Sequence, residues 1–331
     1  MYRPSEIFGN KSTIEKMSSA VKSGQISHSY IITGSPGTGK TLLANIFAKM
    51  LQCEDMSGPL PCLKCSSCNV FDSGNHPDVI YVLPAKKKAI GIDDIREQVL
   101  SKTITKPYKY SRKIFIIENA DTLSAEAQNS LLKTLEEPPE YVVFIMTALS
   151  SKALLPTVLS RSVILKTEEL HAEDISRYLS EKLGVPAHKA AFYGEYARGS
   201  IGEAIKLSSS EEFSEMHSLV FDILASARTA DMTTFTNNVS LLEKYRHNPE
   251  FLDIFTAFYR DLMVIKLIGN TDHIIQKDKA DFLLAEAKKE TSQNISDKLE
   301  AVLKAKKELS SNVNFSLCVE LMLMKIKEKT T

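Results

Sequence analysis

The sequence predicts an α/β nucleotide-binding domain on a five-stranded, mostly parallel sheet, followed by a chain that is helical to its end. Three observations carry this. Residues 34–41 read Gly-Ser-Pro-Gly-Thr-Gly-Lys-Thr and fit G-x-x-x-x-G-K-[ST] at every defined position. Five short apolar runs alternate with helical patterns up to about residue 166. From Ala172 the strand signals stop, and apolar residues recur at helical spacing. The 331 residues suffice for two or three domains. We expect a nucleotide-binding core over residues 1–166, a small helical lid over 167–208 and an all-helical domain over 213–331.

Composition narrows the function classes. Hydrophobic residues at 43% and charged residues at 25% are ordinary for a soluble globular chain. Lys+Arg and Asp+Glu both number 41, so any contact with DNA must come from a local patch and not from a basic body. The most apolar run, Tyr141 to Leu149, is too short to span a bilayer, and the first residues lack a charged-then-apolar leader. The expectation is a cytoplasmic protein without a membrane partner.

In chain order, Met1 to Gly9 contains Tyr2-Arg3-Pro4 and says little alone. A helix over about 12–23 follows, with Ile14, Met17 and Val21 on one face and Gly24 closing it. Tyr30 to Thr33 reads as a buried strand and Leu42 to Lys49 as a helix, the strand–loop–helix context that a phosphate-binding loop needs. The loop residues Gly34, Pro36, Gly37, Thr38 and Gly39 would wrap the backbone around the phosphates of ATP or ADP. Lys40 would reach the outer phosphates, and the Thr41 hydroxyl would ligate Mg²⁺.

Cys53, Cys62, Cys65 and Cys68 follow with C-x8-C-x2-C-x2-C spacing. In a reducing compartment such a cluster favours metal over disulfides, and four sulfurs with no open position describe a structural Zn²⁺ site. Free buried thiols are the alternative. The fifth, Cys318, sits in an apolar helix and reads as core packing.

Val79 to Leu83 is the next strand, followed by Lys86-Lys87-Lys88 and a helix over about 92–101. Lys106, Lys109, Arg112 and Lys113 then surround Tyr108 and Tyr110. A solvated loop is the preferred reading there, with a nucleic-acid backbone contact as the alternative. Ile114 to Ile117 has the continuous apolar character of a central parallel strand, and it ends in Glu118-Asn119. Working P-loop ATPases place an acidic Mg²⁺ ligand there, often followed by a glutamate that polarises water. Glu118 can reach a metal; Asn119 cannot act as a base. A helix over about 124–137 is stopped by Pro138-Pro139. Val142 to Thr147 and Val163 to Lys166 are the last strands, with Ser160-Arg161-Ser162 just ahead of the final one.

Helices are expected at about 172–183, 187–197 and 201–208, and residues 208–212 read as a linker. Beyond it lie amphipathic stretches near 213–228, 232–246, 250–268, 278–290, 295–309 and 313–328. The apolar stripe from Phe251 to Met263 is either internal core or a contact with another subunit.

With these pieces in place the chain resembles the bacterial clamp-loader AAA+ family of DNA polymerase III. The resemblance rests on the ordered set Tyr2-Arg3-Pro4, the P-loop, the four-cysteine insertion, Ser130-Leu131-Leu132-Lys133-Thr134-Leu135-Glu136-Glu137-Pro138-Pro139 and Ser160-Arg161-Ser162. It covers residues 1 to about 205 in detail; beyond, the chain matches only in being helical. It implies that the C-terminal domain is an oligomerisation collar. It implies that Tyr2, Arg3 and Pro4 line the nucleotide base, that Thr147 senses the γ-phosphate, and that Arg161 reaches a neighbour's nucleotide as an arginine finger. Ser162 departs from the family's usual Cys. Active motor subunits carry Gly-Ser-x-Arg in the lid, whereas this chain reads Gly199-Ser200-Ile201-Gly202. Altered Asn119 and Gly202 beside a retained Arg161 fit a non-motor subunit that completes a neighbour's active site. Its expected partners are the delta and gamma/tau subunits, the sliding clamp and primed DNA. The alternatives are a gamma/tau-like ATPase motor, kept open by Lys40 and Thr41, and a zinc-stabilised P-loop protein outside replication.

Overall fold

A computed structural model describes residues 8–85, 90–248, 250–311 and 313–328. Tyr2, Arg3, Pro4 and the Lys86-Lys87-Lys88 run lie outside the described residues. The chain divides into two compact units: the described residues up to Leu170 with Gly199–Glu203, and His171–Arg198 with the described residues from Ala204.

The first unit runs α1 (Lys11–Ser23), β1 (Ser29–Thr33), α2 (Lys40–Leu51), α3 (Ser66–Asp72), β2 (Val79–Val82), α4 (Ile92–Ile95), a π-turn (Arg96–Leu100), α5 (Ser101–Thr103), β3 (Lys113–Ile117), α6 (Ala125–Glu136), β4 (Val142–Ala148), α7 (Pro156–Leu159) and β5 (Val163–Lys166). The five strands form one sheet in the order β2-β3-β4-β1-β5, and every pairing is parallel. β1, β3 and β4 are buried along their whole lengths, which is why they read as continuous apolar runs.

Alternation along the strands then builds a core on each face. Tyr30, Ile32, Ile114, Ile116, Val143 and Ile145 meet Met17 of α1 and Leu43, Ile46 and Phe47 of α2. Ile31, Phe115, Ile117, Phe144 and Met146 face the other way, onto Ile95, Leu131 and Leu135. Phe115 and Phe144 stack there with centroids 5.4 Å apart. α6 starts at Ser124, whose hydroxyl accepts from the Ala127 N–H at 3.2 Å, a cap of about 1 kcal/mol. The register sets Ile117 beside Met146 and Ile32 beside Thr147, so the ends of β1, β3 and β4 come level at one edge. In parallel α/β sheets that carboxyl edge is where ligands bind.

Lys113 departs from the expected basic loop. It is the first residue of β3, buried, with Nζ on the carbonyls of Lys102 and Thr105 and on the Thr105 hydroxyl. The loop before it is fixed by the buried Asp78 carboxylate, which accepts from the N–H groups of Tyr108, Lys109 and Tyr110. Tyr108 itself is exposed.

The second unit is helical: α8 (Ala172–Leu183), α9 (Ala187–Tyr196), the latter part of α10 (Ile201–Ser208), α11 (Glu211–Ser226), α12 (Met232–Glu243), α13 (Phe251–Ile268), α14 (Ala280–Lys289), α15 (Ser292–Leu309) and α16 (Phe315–Lys327). The expected linker shrinks to two residues between α10 and α11, where Ser210 caps α11 through the Phe213 N–H. Phe251, Ile254, Phe255, Phe258, Tyr259 and Leu262 of α13 are all buried. The stripe is therefore internal core. Among the described residues no helix is long and apolar enough to cross a membrane.

Candidate nucleotide site, arginine corner and cysteine cluster

The P-loop leaves β1 at the carboxyl edge and ends at Gly39, whose φ of 90° places it in the left-handed region and starts α2 without a side-chain cap. An uncapped helix start of this kind is the anion-binding end that the motif requires. Here, however, the loop is held by its own chain. Lys40 is 8% exposed, and its Nζ donates to the carbonyls of Gly34 at 2.9 Å and Ser35 at 2.8 Å. Burial lowers its pKa, with Asp121 opposing. The Thr38 hydroxyl donates to Ser35 O at 2.8 Å and lies 2.8 Å from the Thr167 hydroxyl. Ser35 donates to Glu169 at 2.7 Å, and Asn10 Nδ2 donates to Thr38 O at 3.1 Å while its Oδ1 accepts from the Glu168 N–H.

Gly199–Glu203 completes the surround. The Gly202 N–H donates to Gly37 O at 3.0 Å, and Ser200 caps the start of α10 through the Glu203 N–H at 3.1 Å. A Cβ on Gly202 would lie 2.9 Å from Gly37 O and 3.0 Å from Gly37 Cα.

At the expected Mg²⁺ position the Thr41 hydroxyl donates to Glu118 at 3.2 Å, so the two candidate ligands meet. Asn119 takes a left-handed conformation with φ 52°, and its N–H donates to the buried Thr147 hydroxyl at 3.1 Å. Gly34, Pro36, Gly37, Thr38, Gly39, Lys40, Thr41, Glu118 and Thr147 thus gather around one edge of the sheet. Asn10, Thr167 and Glu169 join them unannounced by any motif, and Ser200 joins from the Gly199-Ser200-Ile201-Gly202 stretch.

Arg161 lies between α7 and β5. Its guanidinium donates to Thr157 O at 2.9 Å and Ser160 Oγ at 3.2 Å, and pairs with Glu136 at 2.9 Å. Two motifs that are separate in sequence, the Glu-Glu-Pro-Pro helix end and Ser-Arg-Ser, therefore meet. The Arg161 side chain stays 33% exposed and Glu136 50%. Ser162 gives its hydroxyl hydrogen to Val158 O at 2.9 Å and lies 2.7 Å from Ser29 Oγ.

The sulfurs of Cys53, Cys62, Cys65 and Cys68 all lie within 4.8 Å of one another. Each of three N–H groups donates to a sulfur at 3.4 Å: Cys62 to Cys53, Cys65 to Cys62, and Cys68 to Cys65. Such bonds stabilise thiolate, the form that binds metal. The turn between Cys62 and Cys65 is made by Leu63 with φ 63°, and Cys65 caps α3. The donor set fits a closed tetrahedral Zn²⁺ site. Cys318, in the second unit, takes no part; it is buried against Ala305 and Glu308.

Residues 9–171 match the family described as "DNA polymerase III, delta subunit", and residues 222–328 match "DNA polymerase III, delta subunit, C terminal". The chain is 31% identical over 314 residues to DNA polymerase III subunit delta' of Bacillus subtilis, covering 93% of each. It is 32% identical over 207 residues to DNA polymerase III subunit gamma of Buchnera aphidicola, which covers 61% of this chain and 56% of that protein. For the tau/gamma subunit of Haemophilus influenzae the identity is 32% over 208 residues, covering 61% and 30%. A solved Thermotoga maritima protein described as gamma subunit-related overlays 96% of this chain and 99% of that one at 20% identity, with a TM-score of 0.45.

Proposed function

The chain belongs to the bacterial clamp-loader AAA+ family of DNA polymerase III, most like its delta-prime subunits, and we propose that it serves there as a stator and not as a motor. In this reading it presents Arg161 to ATP held by an adjacent gamma/tau-type subunit. It thereby helps a complex that also contains delta to open a sliding clamp and place it on primed DNA in the cytoplasm. Residues 167–208 act as the lid and the helices from residue 213 as the collar. Family membership removes the reading of a P-loop protein outside replication.

One combination carries the proposal: Asn119 and Gly202 stand where a motor needs a base and an arginine, while Arg161 is kept at a surface. A guanidinium set against a transferring phosphoryl group is worth about 10³–10⁵ in turnover. The pair with Glu136 is exposed enough to exchange for a phosphate partner at little cost. The 93% coverage of a delta' subunit, against partial coverage of gamma and tau/gamma subunits, supports the same choice. The test is Arg161→Ala in a reconstituted loader. Turnover at the interface it serves should collapse while the isolated variant folds and melts as the parent does; unchanged turnover overturns the role.

The motor reading keeps one specific observation in its favour, the Thr41–Glu118 contact at the Mg²⁺ position. It requires ATP hydrolysis by the isolated chain.

For the cysteine cluster we propose one structural Zn²⁺ per chain, held by Cys53, Cys62, Cys65 and Cys68. A bound ion there would supply cross-linking of the loop between α2 and α3, and four sulfurs leave it no open position for catalysis. Metal analysis of freshly purified reduced protein should return one zinc; none would refute it.

A further inference from the structure

We propose that Gly199–Glu203 is a clasp that holds the P-loop closed, and that a nucleotide enters this subunit only by displacing it. The inference depends on the loop being a nucleotide site of this family, and not on any role of Arg161.

Its geometry is a contact between two glycines. Gly202 lies where the motor subunits' arginine would stand, and its N–H donates to Gly37 O at 3.0 Å. Neither residue tolerates a side chain in this arrangement. A Cβ on Gly202 would meet Gly37 O at 2.9 Å and Gly37 Cα at 3.0 Å, both backbone atoms that cannot swing aside. A Cβ on Gly37, whose φ is 71°, would meet Ser200 Oγ at 2.1 Å and the Glu203 nitrogen at 3.1 Å. A glycine at position 202 therefore lets α10 begin directly against the tip of the P-loop.

The loop's own cation is engaged as well. Lys40 Nζ, which a phosphate would attract, is bonded to two carbonyls of its own loop. An incoming phosphate must break those bonds and part Gly202 from Gly37. Each broken bond lowers the apparent affinity, because only the opened fraction of molecules can bind.

The experiment uses the intact isolated chain with a fluorescent ATP analogue and Mg²⁺, reading affinity and amide hydrogen exchange together. Gly202→Ala is the variant, because arginine would add a charge that itself attracts phosphate. In the parent, nucleotide should lower protection of the Gly199–Glu203 amides. In Gly202→Ala those amides should exchange faster without nucleotide, and affinity should tighten about tenfold, the size expected when a mostly closed state is opened. Higher protection of residues 199–203 on binding overturns the clasp, as does equal or weaker affinity in a folded Gly202→Ala chain. Failure of both proteins to bind at millimolar nucleotide overturns it too, because opening would then not be what limits entry. If Gly202→Ala fails to fold, the exchange response of the parent alone decides. None of these outcomes touches the Arg161 test in the assembled loader, so the two can fail separately.

Discussion

The P-loop and the Arg161 corner belong to one compact unit and each presents a cation, yet they are built in opposite ways. Lys40 is 8% exposed and held by two carbonyls inside the loop. Arg161 is 33% exposed and held by one carbonyl, one hydroxyl and one half-exposed carboxylate. A buried cation must leave its partners and reorganise its loop before it can serve a ligand. A surface guanidinium only exchanges one exposed partner for another. The difference is what the proposed stator role asks for, a subunit that serves a neighbour's phosphate through Arg161.

The sharpest way to break that contrast is to remove each cation in turn within a reconstituted loader. Arg161→Ala should cost about 10³-fold at the interface it serves, and Arg161→Lys nearly as much, because an ammonium lacks the planar fork. Lys40→Ala should change turnover of the loader by less than about twofold, far below any lost phosphate clamp. Equal losses would erase the distinction between the two sites.

A next, smaller effect separates stability from chemistry. Chelation or Cys65→Ser should lower the melting temperature of the first unit markedly, because a structural zinc contributes directly to folding. The sheet residues that position Lys40 and Arg161 lie outside the cysteine loop, so ATP turnover of the loader should survive at temperatures where the chain stays folded. Turnover lost together with zinc at low temperature would mean that the module shapes one of the two corners.

The second unit supplies a control. Burial lowers the His217 pKa from 6.5 to about 4, with Asp278 opposing and Lys279 reinforcing. Between those values the unfolded chain binds the proton and the folded one does not, so stability falls as pH drops from 6.5 toward 4. The loss is on the order of 3 kcal/mol. His217→Phe should flatten that limb of a denaturation-versus-pH profile; an unchanged limb would place the proton uptake elsewhere. A modest effect is expected for Glu136→Gln, which should alter loader turnover by about fivefold or less, in keeping with an exposed ion pair worth at most about 1 kcal/mol.

How legible all this was depended on burial and on sequence distance. β1, β3 and β4 were readable because strands covered on both faces are apolar at every position. Lys113 was not, because its charge disguises a buried strand residue whose ammonium finds three oxygens. The helix at 92–101 gave no sign of the π-turn at Arg96–Leu100, since one inserted residue barely disturbs an apolar period. At the site, the motif residues declare themselves, whereas Asn10, Thr167 and Glu169 do not. Isolated polar residues carry no pattern; Thr167 and Glu169 reach the P-loop because β5 pairs with β1 across more than a hundred residues of chain, and Asn10 through its own bond to Thr38 O. Gly202 was readable as a lost arginine but not as a steric requirement. Its contact with Gly37 exists only in the folded chain.

Single-turnover ATP hydrolysis by the isolated, purified chain tests the stator role most directly. No turnover above the uncatalysed background, with or without Lys40→Ala, is the expected result. Hydrolysis near ~1 s⁻¹, the low end of typical enzyme rates, that disappears in Lys40→Ala would make this chain a motor and contradict the stator role.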